Sequence, residues 1–244
     1  MNERPQITQA MIGLYDEYTH LTLDRRGFME KLARLSGSAA AAAAIAPLLS
    51  ANQARAAIVP PDDDRLTIER IEYPGANGVT MKGYLARTAN NPGPLPAVIV
   101  VHENRGLNAH IEDVARRMAL EGFVALAVDF LSPAGGTPGD EDKAREMFGA
   151  LDAAAVVQNA VATVAYLKGD TVHTTGKVGA IGFCWGGGVV NQLAVASPDL
   201  AAAVPYYGAQ PKADVDKIKA KLLLHYAGLD DRINAGIKDY EAAL

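Results

Sequence analysis

Covalent and metallic staples are almost absent from this sequence. Cys184 is the single cysteine among 244 residues, so no intrachain disulfide can form and no cysteine-rich zinc site can assemble. Positive charge is also in short supply: 23 Lys and Arg stand against 28 Asp and Glu, a net charge of -5. A nucleic-acid binder carries a basic stripe, and this balance argues against one. Apolar runs fall short of the roughly 20 residues of a membrane span, which disfavours a stable anchor. Neither of two phosphate-cradling loops, G-x-x-x-x-G-K-[ST] and G-x-G-x-x-G, occurs, although Gly186-Gly187-Gly188 comes near the second. What is present is a chain 49% hydrophobic and 21% charged, long enough to bury a sizeable core unaided.

The N-terminal part reads as an address. Arg25-Arg26-Gly27-Phe28-Met29 leads into residues 32–49, rich in Ala and Leu, where Arg34 is the only charge. Ala54-Arg55-Ala56 then places small residues at -3 and -1 of a cut before Ala57. Paired arginines, an apolar stretch and an A-x-A site resemble a bacterial twin-arginine export signal. That implies a leader over residues 1–56, a folded domain over 57–244 and a periplasmic or otherwise exported product. The other reading of the same residues is an alanine-rich helix that stays attached, with Arg25 and Arg26 as solvated charges.

Beyond the leader, strand and helix signals alternate. Residues 65–73 and 79–87 predict two strands around Gly75-Ala76-Asn77-Gly78, where Asn-Gly marks a hairpin because both residues tolerate positive φ. Residues 97–101 form a β-branched run of the kind seen in strands covered on both faces. Asn108 is placed to cap a helix carrying Ile111, Val114, Ala115, Met118 and Ala119 on one side, and Gly122 to end it. A strand over 124–130, helical pattern to about Lys168 with a break near Gly149, and a strand over 177–183 follow. A small-residue helix from Trp185 to Ala196 and strands over 202–207 and 221–226 complete the pattern. Helix-length connections between strands demand a parallel sheet with right-handed crossovers, a three-layer α/β domain.

Gly182-Phe183-Cys184-Trp185-Gly186 joins one of these strands to a helix. It has the form of the G-x-S-x-G nucleophile elbow with cysteine in place of serine. Glycines at 182 and 186 relieve the sharp turn, and Gly187 and Gly188 permit close helix–sheet packing. The helix N-terminus favours thiolate at Cys184, and the Trp185 N–H is placed to stabilise an oxyanion. A lone cysteine out of this context is more often a buried structural residue. His102 and Glu103 end an apolar strand at the carboxyl edge where open α/β sheets bind ligands. Gly106 stands four residues after His102, so no H-E-x-x-H zinc motif exists there and no metal site is expected. His110 and His173 read as surface residues, and His225 as a packed or edge residue of its strand.

The His-Glu strand ending, the G-x-C-x-G elbow and Gly228-Leu229-Asp230-Asp231-Arg232 together resemble the dienelactone hydrolase family, carboxymethylenebutenolidase-like members of the α/β-hydrolase fold. The resemblance spans about residues 65–244. It implies a mostly parallel central sheet with helices on both faces and hydrolysis of a small carboxylic ester or lactone without a cofactor. It also implies Cys184 as nucleophile, Glu103 as the carboxylate near the resting thiol, and the N–H groups of Asn104 and Trp185 as the oxyanion hole. Asp230 matches the triad acid best and Asp231 is the fallback; a local turn or cap is the plainer role for either.

Chain order in this fold is nucleophile, acid, then histidine, and no histidine follows Asp230. The sequence stops at Leu244 inside a helical pattern. The expectation is a chain lacking the last strand and helix. A non-catalytic or inactive truncated product is then the competing reading.

Overall fold

The structure, a computed structural model, describes residues 8–20, 23–49, 57–90, 93–170, 172–228 and 230–244. The expected cleavage pattern Ala54-Arg55-Ala56 and Leu229 lie outside these residues. The chain divides into two compact units, Met1–Ala57 and Ile58–Leu244.

In the first unit, α1 (Gln9–His20), α2 (Arg25–Ser36) and α3 (Ala39–Leu49) follow one another. Arg25 and Arg26 open α2 behind an Asp24 cap, whose carboxylate accepts from the Gly27 N–H at 2.7 Å. Left-handed Gly37 ends that helix, as a residue without Cβ does most cheaply. Tyr18 stacks on Phe28 at 4.7 Å, and Leu14, Leu32 and Ile45 are buried with them. Among the described residues no single helix is long and apolar enough to cross a membrane.

The second unit opens on the expected hairpin, β1 (Leu66–Pro74) and β2 (Thr80–Thr88). Asn77 and Gly78 both take positive φ, at 53° and 78°, and the Val79 N–H closes the turn on the Ala76 carbonyl at 3.0 Å. Five further strands follow: β3 (Leu95–Val101), β4 (Val124–Asp129), β5 (Thr174–Phe183), β6 (Leu200–Tyr206) and β7 (Lys221–Leu222). The sheet order is β1-β2-β4-β3-β5-β6-β7; β2 runs antiparallel to both its neighbours, β1 and β4, and the other pairings are parallel.

Because side chains alternate along a strand, β3 feeds two cores. Ile99 and Val101 pack with Val128, Val164 and Leu193, under α6 (Ala153–Gly169) and α7 (Trp185–Ala196). Val98 and Val100 pack with Ile111, Val114 and Ala115 of α4 (Ala109–Leu120). Each such fully buried aliphatic side chain contributes about 1.5–3 kcal/mol, so both faces of β3 hold it at the centre of the fold. Asn108 caps α4, accepting from the Ile111 N–H at 3.2 Å, and Gly122 leaves it at φ 88°. The expected break near Gly149 separates α5 (Glu141–Gly149) from α6.

The last strand differs from its sequence reading. Regular pairing of β7 covers Lys221 and Leu222, not 221–226. The hydrogen bonds nonetheless run on: Leu223 N–H to Ala203 O at 3.0 Å, His225 N–H to Pro205 O at 3.1 Å, and Tyr207 N–H to His225 O at 2.7 Å. Beyond it, α8 (Asp231–Asn234) and α9 (Ile237–Ala243) close the described chain, and Tyr240 reaches the buried Asn191 of α7.

Candidate active site

Cys184 sits between β5 and α7 at φ 53° and ψ -112°. A residue other than glycine at such a position costs of order 1–3 kcal/mol and is held only by its surroundings. Two backbone bonds hold this one, Cys184 N–H to Tyr206 O at 3.0 Å and Gly188 N–H to Cys184 O at 3.1 Å. The glycines matter for the room they leave. A Cβ on Gly182 would stand 2.3 Å from Gly186 O, and one on Gly186 would stand 2.3 Å from His102 O. Gly187 is needed as well, 2.5 Å from Tyr206 O, and its counterpart is Gly208, whose Cβ would meet Gly187 C at 2.1 Å. Gly188 is not: its nearest neighbour would be 3.6 Å away, so the close packing expected of it is supplied by Gly208 instead.

The thiol itself corrects a second expectation. Burial pushes the Cys184 thiol up to about 11, and the negative charge of Glu103 adds to the rise. The Trp185 backbone N–H bond and the Arg232 charge pull the other way, and Asp230 pushes up again. Desolvation, which disfavours any charged form, outweighs the helix N-terminus. The resting group is a thiol.

Glu103, Asp230 and Trp185, all named from the sequence, therefore act on the same sulfur. Arg232 joins them, a residue whose place in the sequence gives no sign of that role. Asp230 caps α8, its Oδ1 accepting from the Ile233 N–H at 3.1 Å, so the local role is real. Asp231, the fallback, is an exposed residue of the first turn. Asn104 is half-buried in the turn after β3, where the Gly106 N–H approaches Glu103 O at 3.4 Å.

His102 points inward. Its side chain is fully enclosed, stacked on Trp185 at 5.5 Å and edge-on to Phe130 and Phe148. Burial drives its basicity down to about 4, so the ring is neutral at neutral pH. Both nitrogens are engaged, Nε2 by the Phe130 N–H at 3.2 Å and Nδ1 by Glu103 O at 2.7 Å. It is not poised as a base for Cys184. His225 is packed as expected, its ring stacked on Tyr206 at 4.3 Å. His110 and His173 are half-buried rather than open, and His173 pairs with Asp170 at 2.9 Å.

The loop after β4 braces the same region. The buried Asp129 carboxylate accepts from the Leu131 N–H, the Thr137 N–H and the Thr137 hydroxyl at 2.8–3.0 Å. Thr137 Oγ1 in turn accepts from the Leu107 N–H at 3.0 Å, tying the loop after β3 to the loop after β4.

A mostly parallel seven-stranded sheet with a strained strand-to-helix turn at its carboxyl edge defines an α/β hydrolase. The sequence profile of the dienelactone hydrolase family matches residues 81–244, and the chain belongs to that family. A "Putative carboxymethylenebutenolidase" of Escherichia coli O157:H7 is 34% identical over 190 residues, covering 72% of this chain and 69% of that one. The "Putative hydrolase fragment YghX" of Escherichia coli K12 is 51% identical over 107 residues, 43% of this chain and 92% of that one. Among solved structures, a dienelactone hydrolase-like promiscuous phosphotriesterase from metagenomic libraries superposes with a TM-score of 0.62 at 27% identity, covering 73% of this chain and 77% of that one.

Proposed function

We propose that the chain hydrolyses a small carboxylic ester or lactone through a thioester on Cys184. The observation that carries this reading is the strained backbone of Cys184 at the start of α7, which places a sulfur beside the Trp185 N–H. In the reaction the thiol gives its proton to solvent, a step that burial and the Glu103 charge make costly, and the Sγ thiolate attacks the carbonyl carbon. The N–H groups of Asn104 and Trp185 hold the oxyanion. Collapse breaks the carbon–oxygen bond, the leaving alkoxide takes a proton from solvent, and water cleaves the thioester to release the acid and restore the thiol. Asp230 is the acid of the family's triad, in the chain position that pairs with a histidine.

An activated ester such as p-nitrophenyl acetate tests this. The expected result is a burst of one nitrophenolate per chain and an acetyl group on the Cys184 peptide by mass spectrometry, both lost in Cys184→Ala. An unmodified Cys184 peptide under a persistent burst removes the cysteine from the mechanism.

The residues ahead of Ala57 we read as an export leader, supported by Arg25-Arg26 and the apolar stretch behind them. N-terminal sequencing of exported protein is expected to begin at Ala57; an intact Met1 start on exported protein overturns the cleavage.

A further inference from the structure

We propose that His102 is a positioning residue for the oxyanion site, holding the Glu103–Asn104 peptide so that the Asn104 N–H faces the carbonyl attacked by Cys184. This rests on the thioester reading above.

The partners of the ring fix where its proton sits. Nε2 accepts from the Phe130 N–H at 3.2 Å, so in the neutral imidazole the hydrogen is on Nδ1. Nδ1 then donates to Glu103 O at 2.7 Å. That carbonyl belongs to the same planar amide as the Asn104 N–H. No peptide bond among the described residues is cis, and in a trans amide the C=O and N–H point to opposite sides. Fixing Glu103 O therefore fixes the direction of the Asn104 N–H. The Gly106 N–H, 3.4 Å from the same oxygen, restrains the plane further. A hydrogen bond to an amide oxygen also polarises the amide, making its N–H a stronger donor.

The ring is held as firmly as it holds. It is fully enclosed. Its face lies on the Trp185 indole, 5.5 Å away and only 8° from parallel, with Phe148 at 5.1 Å and Phe130 at 5.8 Å around it. Trp185 carries the second oxyanion donor on its own backbone. One imidazole thus sits between the amide that supplies one donor and the side chain of the residue that supplies the other. The backbone of His102 is part of the same joint, since its carbonyl occupies the space a Cβ on Gly186 would need. A fixed donor of this kind acts in the transition state more than in the ground state.

His102→Leu removes the donor and fills the enclosed site with an apolar side chain. Single-turnover acylation by p-nitrophenyl acetate is expected to slow by about 10- to 100-fold, with little change in KM, given that losing an oxyanion donor outright costs about 100- to 1000-fold. Affinity for an aryl trifluoromethyl ketone, which forms a tetrahedral adduct with the thiol, is expected to fall by the same factor. Inhibition by the corresponding aryl carboxylate should stay within about twofold, a split that a general loosening of the fold does not produce. His102→Asn, whose amide nitrogen can stand near the Nδ1 position, is expected to recover most of the rate, and His102→Gln is not. Wild-type acylation and ketone affinity in His102→Leu overturn the proposal. If that variant fails to fold, equal rates for the Asn and Gln variants overturn it instead. A wild-type chain that forms no adduct at Cys184 overturns the thioester reading and this proposal together, whereas an adduct formed equally well in His102→Leu overturns only the positioning role.

Discussion

Acylation of Cys184 is expected to accelerate about 1000-fold between pH 7 and pH 10, because the thiolate fraction of a group titrating near 11 rises tenfold per unit over that range. An ordinary thiol, titrating near 8.5, would level off by about pH 9. Burial and the Glu103 charge together set the difference. The stability of the fold should move in the opposite direction. A group whose folded value lies above its unfolded one contributes stability that is fully present below the unfolded value and lost as pH rises through the folded one. For Cys184 that window runs from about 9 to about 11, and the loss approaches about 3 kcal/mol. Stopped-flow acylation corrected by a Cys184→Ala blank, with urea midpoints for both chains across the same range, checks both halves. A rate plateau near pH 8.5, or the same alkaline loss of stability in Cys184→Ala, contradicts the buried-thiol account.

Much of the framework was legible because it follows from backbone periodicity. Residues 98–101 alternate between two apolar cores, and a continuous β-branched run is what that requires. Asn77-Gly78 and Asn108 declare themselves by the conformations and bonds that their side chains favour. The elbow was legible for the same reason, as glycines crowd around a turn that only a few sequences can make. What remained hidden depends on which atoms meet across the chain. Extending the alternation of β3 would send His102 to the face of Val98 and Val100; it packs instead with Phe130, Phe148 and Trp185 on the other side, because the strand ends at Val101. The thiol's resting state is hidden too, because a helix N-terminus is visible in a sequence and desolvation is not. The buried pair Asp113 and Arg116 on α4, which anchors Val59 through both its N–H and its carbonyl, gave no signal in the apolar pattern of that helix.

Gly186→Ala and Gly188→Ala should part in sign, although both put the best helix former in place of the worst but proline. In a helix interior that exchange favours folding by about 1 kcal/mol. At position 188 the new Cβ finds Ala209 N at 3.6 Å, an ordinary contact, so Gly188→Ala is expected to be neutral or to gain up to that amount. At position 186 it would stand 2.3 Å from His102 O and 2.6 Å from Val101 O. Both are backbone atoms at the end of the central strand, so no side chain can swing aside; α7 or the β3 loop must shift. Overpacking against flexible neighbours costs about 1–3 kcal/mol, and a clash with fixed backbone belongs at the upper end or beyond, well above the propensity gain. A net loss of about 3 kcal/mol corresponds to a fall in Tm of about 6–12 °C for a domain of this size. The shift would also separate the Trp185 N–H from the Asn104 peptide, so acylation should collapse even at temperatures where Gly186→Ala is folded. Thermal melts and acylation rates of the two variants side by side decide the matter, and a Gly186→Ala chain that melts and acylates like its parent would show that the elbow does not need the space it leaves.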